Sequence, residues 1–485
     1  MHRVNKKRTK TLTLRFTAYA VTLLLTIVTT AFLLFVALGY RFNSRDGDVV
    51  RSGLLLVDSK PEAAQIYIGD ELKDNAAPGR FILQNGKYDL SLRREGYRDW
   101  KKNVVIIPSG VTEVNYPILV PQKLSAVSFG ESFTEASFVS QSNSRQYLLM
   151  HVSDQPTMKL VRLDKEKPEV TTLTLPKAFI REDGKTGTFK LIEWALDGKH
   201  VLLEQTLPGG TKQLMSFDIG KPANAVNISS LYGVETPTDV HYVGGNTDAI
   251  YGIKDGLLRK QSLKTANIDI LLKDIRSYQP YGDDTLIYEA IAPDTTIKIG
   301  IMKNESSRII KKKLSPDIKH YLKYAQYDRH YYLAVAEENG SNVVLYRDPL
   351  DVPASAKLTP FITLPFENTT ELTFSDSSQF VYAQNGNKAL SYDLRDLRSY
   401  YVQLPFTVAS GAAMEWLDGF HLKTVAENGD GYLLDYDGQN LQKIVSVEFG
   451  KKLYYAPDMR STFRVNVKDE KNILEKINMV TAADK

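Results

Sequence analysis

The segment Trp194-Ala195-Leu196-Asp197-Gly198-Lys199-His200-Val201-Leu202-Leu203 sets an aromatic residue before a short Asp-Gly turn, with an apolar run starting four residues after the Asp. The same order recurs along most of the chain. Its turn markers are Asn143, Asp197, Asn246, Asp283, Asp328, Asp376, Asp418 and Asp458, spaced on average 45 residues apart. Aromatic residues stand just before most of them, namely Trp194, Tyr242, Tyr281, Tyr327, Phe374, Trp416 and Tyr455. Apolar strands follow, among them Val201 to Leu203, Leu286 to Tyr288, Tyr331 to Val335, Phe380 to Tyr382 and Phe463 to Val465, and second hairpins show at Leu214 to Phe217, Val343 to Tyr346 and Tyr432 to Leu434. An all-β repeat of this length, with roughly four strands per unit, predicts a β-propeller over residues 122–480. A helical solenoid would need apolar faces of period 3.6, which are absent. The markers fit a seven- or eight-bladed ring, and eight is preferred. The last repeat has room for only three strands before Lys485, so Leu124 to Phe129 is expected to supply the fourth and hide the open edges.

The N-terminus carries a different signal. Residues 16–40 contain no formal charge and include the run Val21 to Val36. As a helix rising about 1.5 Å per residue, this stretch reaches roughly 37 Å, enough to cross a hydrocarbon core of about 30 Å. It is expected to be an uncleaved transmembrane helix. A signal peptide cut near Ala37-Leu38-Gly39 is the competing reading, but the apolar stretch is longer than a signal peptide's core. Residues 1–15 form a basic tail holding Arg3, Lys6, Lys7, Arg8, Lys10 and Arg15 and no acid, whereas Arg41, Arg45 and Arg51 in the 41–52 linker are mixed with Asp46 and Asp48. The positive-inside bias places the N-terminus in the cytoplasm and residues 41–485 outside it, a single-pass cell-membrane protein.

The formal net charge of +4 is a property of that tail. Without its six basic residues the chain has 55 basic against 57 acidic side chains, so the folded part has no basic surplus. Arg308 with Lys311, Lys312 and Lys313 is the densest basic run, and it reads as a solvated strand edge that opposes aggregation. Nucleic acid is not an expected partner.

Residues 53–120 read almost wholly as strands of period two. The expected strands are Gly53 to Val57, Gln65 to Ile68, Phe81 to Gln84, Lys87 to Leu92, Val104 to Ile107 and Val111 to Val120, forming a five- or six-stranded antiparallel sandwich. Asn85-Gly86 predicts a tight hairpin between the third and fourth, because both central residues of such a turn take positive φ. Tyr88, Leu90 and Leu92 would share one face.

The segment Ser59-Lys60-Pro61-Glu62-Ala63-Ala64-Gln65-Ile66-Tyr67-Ile68-Gly69, followed by Ala77-Pro78, Gly86-Lys87-Tyr88 and Glu95-Gly96-Tyr97, resembles the PEGA domain of prokaryotic envelope proteins. Pro61 to Ala64 matches the namesake motif at three of four places, with Ala63 where glycine is usual. The resemblance implies a surface-layer or envelope-associated module without catalysis. The downstream repeats are similar, in a generic way, to WD40-like and other bacterial propellers, with no strict blade motif.

The chain has no cysteine, which excludes disulfides, thiolate metal sites, a cysteine nucleophile and a lipidated N-terminal cysteine. Its histidines, His2, His151, His200, His241, His320, His330 and His421, never stand three or four apart, so metalloprotease spacing is missing. Phosphate-loop, dinucleotide and nucleophile-elbow motifs are missing as well. Each histidine reads as a strand-surface or satisfied core residue. Asp435-Tyr436-Asp437-Gly438-Gln439-Asn440 alternates oxygen donors as a calcium loop does, yet a plain Asp-Gly hairpin explains it better. Trp100, Trp194, Trp416 and the 27 tyrosines invite sugar stacking, but their repeat-locked positions favour packing.

No catalytic, cofactor-binding or metal-binding residue is therefore assigned, and no cofactor is expected. The leading reading is a non-enzymatic, membrane-anchored surface protein whose propeller binds an envelope glycan or a surface protein. The alternative is an extracytoplasmic glycan hydrolase with carboxylates gathered in the propeller funnel. A transmembrane sensor is weaker, because about 15 cytoplasmic residues hold no signalling domain.

Overall fold

Asp197 explains why the repeat folds as it does. Its carboxylate accepts hydrogen bonds from the backbone N–H of Lys199 (2.8 Å) and His200 (3.0 Å), and Gly198 turns the chain at φ 65°. The turn joins strand Thr188–Trp194 to strand His200–Thr206 in register, Trp194 opposite Val201. Asp418 does the same for Phe420 and His421, both at 2.7 Å.

In the computed structural model the described residues are 6–42, 49–304, 306–353, 356–448, 450 and 452–484. They fall into two units, Met1–Lys123 with Val480–Lys485, and Leu124–Met479.

The second unit is a ring of eight four-stranded sheets. Blades 1 to 8 span residues 136–174, 188–227, 238–272, 275–314, 320–365, 371–403, 415–446 and 454–478, the last completed by a strand from 126–133. Within blades 1 to 7 the strands follow chain order, and from blade 1 to blade 6 the first strands of neighbouring blades approach one another around the axis. Apolar clusters cement the joints. Leu149, Met158 and Phe189 pack with Val201, Leu203 and Phe217 between blades 1 and 2, and Ile250, Val240 and Leu202 between blades 2 and 3. A fully buried Leu, Ile, Val or Phe at such a joint stabilises by about 1.5–3 kcal/mol.

Closure follows the sequence expectation. The strand Ala126–Phe133 pairs antiparallel with Lys471–Asn478, setting Val127 opposite Lys476 and Phe129 opposite Leu474. The Phe129 ring meets Phe463 edge to face at 6.1 Å. On the other side of the seam, Gln141 Nε2 donates to the Tyr455 carbonyl (2.7 Å), and the Tyr454 hydroxyl donates to the Val139 carbonyl (3.0 Å). The basic run Arg308 to Lys313 lies on Ser306–Leu314, the outer edge strand of blade 4.

The first unit opens with helix α1 (Lys6–Ala37), of which Leu14–Ala37 is apolar enough to cross a membrane. The helix ends at Ala37, three residues short of Tyr40. Gly39 stops it at φ 75°, and its N–H bonds to the Val36 carbonyl (3.0 Å). Eight strands follow: β1 (Tyr40–Phe42), β2 (Val49–Val57), β3 (Gln65–Ile68), β4 (Glu71–Leu72), β5 (Gly79–Gln84), β6 (Gly86–Arg93), β7 (Trp100–Ile106) and β8 (Val111–Val114). One sheet runs β1-β2-β5 with β8 on β2, and the other runs β4-β3-β6-β7. Leu55, Ile66, Leu90, Leu92 and Trp100 fill the space between them.

Four sequence expectations need correction here. Among the described residues the 53–120 sandwich has seven strands, β2 to β8, where five or six were expected, and it is not wholly antiparallel, because β8 runs parallel to β2. Residues 41–52 are not a plain linker: β1 pairs with the start of β2, Tyr40 opposite Arg51. The expected strand Val111 to Val120 stops at Val114. Finally, Asn85-Gly86 makes no hairpin, since β5 and β6 belong to different sheets. Gly86 alone of the pair takes positive φ (156°), and Asn85 N–H bonds to the Arg51 carbonyl (2.9 Å), which turns the chain between sheets. Residues 1–5 of the basic tail and 43–48 of the expected linker, with Arg45, Asp46 and Asp48, lie outside the described residues.

Residues 480–484 return to this unit. Asp484 pairs with Arg94 and accepts from the buried Tyr97 hydroxyl (2.6 Å), which in turn accepts from Thr481 N–H (2.9 Å). Gly96 makes room for the tail, since a Cβ there would stand 3.2 Å from Thr481 Cγ2.

Candidate binding site at the axial end of the propeller

The turns after the first strands gather at one end of the ring, and the marker residues divide by role. Asp197, Asn246, Asp418 and Asp458 cap backbone N–H groups within their own turns. Asn143 and Asp283 reach a neighbouring blade: Asn143 Nδ2 donates to the Trp194 carbonyl (3.4 Å), and Asp283 Oδ1 accepts from Gly245 N–H (2.8 Å). Asp328 serves by its backbone, at φ 44°. In blade 6 the capping falls to Ser375, whose Oγ accepts from Phe380 N–H (3.1 Å), so Asp376 is released from that task.

A cavity of about 440 Å³ opens at this end, lined by the first four blades. Gln141, Glu193, Tyr242, Pro280 and Gly282 form its walls, and Leu196, 69% exposed, stands in the turn that borders it. Trp194 and Tyr242 also contribute, but both are buried at blade joints. The Trp194 indole N–H donates to Ser140 Oγ (3.2 Å), and the Tyr242 hydroxyl lies 2.7 Å from Ser216 Oγ. Buried to this degree, these aromatics offer little surface for stacking.

Glu193, the carboxylate of the cavity, is committed. It accepts from His241 Nδ1 (2.7 Å) and from Tyr242 N–H. Burial alone would push His241 down, but hydrogen bonds and charge from Asp239 and Glu193 prevail and raise it to about 9. At neutral pH His241 is an imidazolium, and its bond to Glu193 ties blade 2 to blade 3. At the same end Arg145, in the turn of blade 1, donates to the Leu417 carbonyl of blade 7. Asp376 is solvent-exposed at its tip yet crowded, and burial raises its carboxyl against the opposing charge of Arg145. On the adjoining turn, burial would also raise Asp418, but His421 and two backbone N–H groups hold it at about 2. The turns touch, since a Cβ on Gly419 would meet Ser377 Oγ at 2.9 Å.

The nearest approach to a nucleophile and base lies at the far end of blade 1. Ser137 Oγ is 3.0 Å from His151 Nδ1, and His151 Nε2 is 2.9 Å from the Gln155 carbonyl. His151 is fully buried, and burial pushes it down to about 4 despite that carbonyl and Asp154. Such an imidazole is neutral at pH 7 and a feeble base. The other described histidines are also engaged: His200 with Asp197, His330 with Asp348, His421 with Asp418 and His320 with Glu289. Asp435 to Asn440 is a closed turn, Gly438 N–H bonding the Asp435 carbonyl (2.9 Å) and Asn440 Nδ2 bonding Asp435 Oδ2 (2.9 Å). Among the described residues no three His, Asp or Glu side chains converge to hold a metal.

The two shifted histidines set a pH profile. His151, lowered in the fold, contributes stability that is complete above its unfolded value near 6.5 and is lost as pH falls toward 4. His241, raised in the fold, contributes stability that is complete below 6.5 and is lost as pH rises toward 9. Each limb should slope by about 1.4 kcal/mol per pH unit. Denaturant unfolding across pH is expected to lose its alkaline limb in His241→Gln while keeping the acid one. An unchanged alkaline limb would remove His241 as its source.

Comparison with known proteins adds a domain and a fold. The PEGA domain family model matches residues 52–119. No curated protein matches the chain. Among solved structures, the C-terminal WD40 domain of Sif2 is 9% identical, with 73% of this chain and all of that one covered at a TM-score of 0.46. Oligogalacturonate lyase from Vibrio parahaemolyticus is 10% identical, with 75% and 100% covered at a TM-score of 0.37. Porphyromonas gingivalis dipeptidyl peptidase 4 is 9% identical, with 71% and 58% covered at a TM-score of 0.47. Likenesses this distant say nothing of activity, and the propeller assignment stands on the eight sheets and their closure.

Proposed function

From a chain whose residues 52–119 are a PEGA domain, we propose an envelope protein that is held in the membrane by α1, carries its β units outside the cytoplasm, and uses the propeller for binding rather than catalysis. The observation that carries the binding role is the cavity of about 440 Å³ at the axial end, framed by turns on a rigid ring. Its carboxylate Glu193 already has two protein partners, which favours recognition over proton transfer. A cell-wall glycan or another surface protein is the class of partner proposed.

Glycan hydrolysis is the second reading, and Asp376 and Asp418 are the residues that favour it. Two carboxyl groups on touching turns with their pKa values pushed apart suit an acid and a base. Asp418, however, is fully occupied by its cap and His421.

A photo-crosslinking amino acid at position 196 tests the binding role in intact envelopes, with position 295, in an exposed turn at the opposite end of blade 4, as reference. A discrete adduct with glycan or protein at 196 and none at 295 is expected, and Asp376→Asn should leave it in place. Equal adducts at both positions would reject the axial site. Release of shortened envelope glycan that stops in Asp376→Asn would favour the hydrolase.

A further inference from the structure

The helix does not hang from the PEGA domain by a free tether. Three backbones meet where α1 ends. The Gly39 carbonyl accepts from Ser52 N–H (2.8 Å) and Ser52 Oγ (3.1 Å), and Ser109 N–H donates to the Ser52 carbonyl (2.9 Å). Glycines permit this approach. A Cβ on Gly39 would stand 2.6 Å from Ser109 Oγ, and one on Gly53 would stand 2.2 Å from the Ile107 carbonyl. The β7–β8 turn, Ile107 to Gly110, is thereby fixed against the exit of the helix.

Apolar side chains crowd that place without covering one another. Leu38 is 52% exposed, Ile107 52% and Val111 44%. Tyr40 stacks on Phe35 at 5.1 Å between centroids, and the Arg51 guanidinium lies 5.1 Å above the Tyr40 ring. An aromatic ring held between an apolar helix and a cation is characteristic of the boundary between hydrocarbon and water. Exposed Lys87 is near, one residue beyond Gly86, which is paired with Ile106. The 24-residue segment Leu14–Ala37 spans about 36 Å, a few ångströms more than the ~30 Å core, and tilting to absorb the surplus lowers this end toward the headgroups.

We propose that the helix-side end of the PEGA domain is itself a lipid-binding surface, with Leu38, Ile107 and Val111 seated in the interfacial layer and Arg51 and Lys87 at the headgroups. The apolar surface of α1 continues into these side chains, which identifies the bilayer as their occupant. The domain then stands on the membrane as a fixed foot. This inference rests on the reading of α1 as a membrane anchor.

The chain's lack of cysteine makes the test clean. Full-length Ile107→Cys, Val111→Cys, Thr22→Cys and Val234→Cys each take one environment-sensitive fluorophore, and each protein is reconstituted in vesicles of phosphatidylcholine and phosphatidylglycerol. Lipids carrying a quencher near the headgroup are expected to quench positions 107 and 111 several-fold more than position 234, with blue-shifted emission, while a deep quencher reaches position 22. Quenching at 22 with water-like emission at 107 and 111 would overturn the lipid foot and leave the anchor standing. Blue-shifted labels at 107 and 111 that lipid quenchers do not reach would also overturn it, by assigning the patch to protein contact. No quenching at 22 would overturn the anchor and this inference together. Because 107 and 111 are exposed, their labels leave the fold intact.

Discussion

Phe463→Ala is expected to destabilise the propeller by about 3–5 kcal/mol, the usual cost of emptying a buried aromatic site. Phe463 is fully buried in blade 8, where it joins the edge-to-face contact with Phe129 and the cluster that includes Leu148, Val161 and Leu474. It therefore supports the joint between blades 8 and 1 and the closing strand at once. Val467, on the same strand and 42% exposed, serves as reference, and Val467→Ala should stay within about 0.5 kcal/mol. Hydrogen exchange should show residues 126–133 losing protection first in Phe463→Ala. Uniform loss across all blades would mean that the seam is no weaker than the rest.

Gly187→Ala is the second large effect. Gly187 takes φ 68°, and a Cβ there would lie 2.1 Å from the Thr206 carbonyl oxygen, a backbone atom that cannot swing aside. Its N–H also donates to Asp154 Oδ1 (2.9 Å), linking blade 1 to the start of blade 2. Left-handed backbone alone costs about 1–2 kcal/mol for a residue with a side chain. Gly184→Ala isolates that part, because Gly184 has φ 79° and open space around it. Thermal unfolding should therefore fall modestly in Gly184→Ala and far more in Gly187→Ala. Similar shifts would show that the ring relaxes to admit the methyl group.

The ring was legible from the sequence because an Asp or Asn stands in the turn between the first two apolar strands of every blade, although its side chain caps that turn in only four of them. Asp197, Asp418 and Asp458 cap as the repeat implies. The closing strand was legible by counting, since the last repeat lacked a strand and a spare one stood before the first. What escaped the sequence depends on distant partners. The Asn85-Gly86 pair carries hairpin chemistry, yet the sandwich needs β5 and β6 in opposite sheets, and tertiary packing prevails over turn preference. Asp484 on Arg94 and Tyr97 joins residues nearly 400 positions apart, with no local signature. Asp376 looks like every other marker in the sequence, and that Ser375 takes over its cap, as Ser142 does beside Asn143, shows only in the structure. His241 is raised against its burial by Asp239 on its own strand and by Glu193 from the neighbouring blade, and the second of these partners has no local signature.

These features connect through the anchor. In the proposed arrangement, a helix bonded to the PEGA domain at Gly39 and Ser52 would give the first unit a defined standing at the membrane, with the ring in the same compartment. That proposal requires the β units to lie across the membrane from the basic tail. The direct measurement is labelling of single-cysteine variants with a membrane-impermeant maleimide in spheroplasts, comparing Val234→Cys, 85% exposed on the propeller, with Thr9→Cys in the tail. Labelling of position 234 in intact spheroplasts, with position 9 reacting only after the membrane is opened, is the predicted result. Labelling of position 9 with position 234 protected, or protection of both until lysis, would contradict the account.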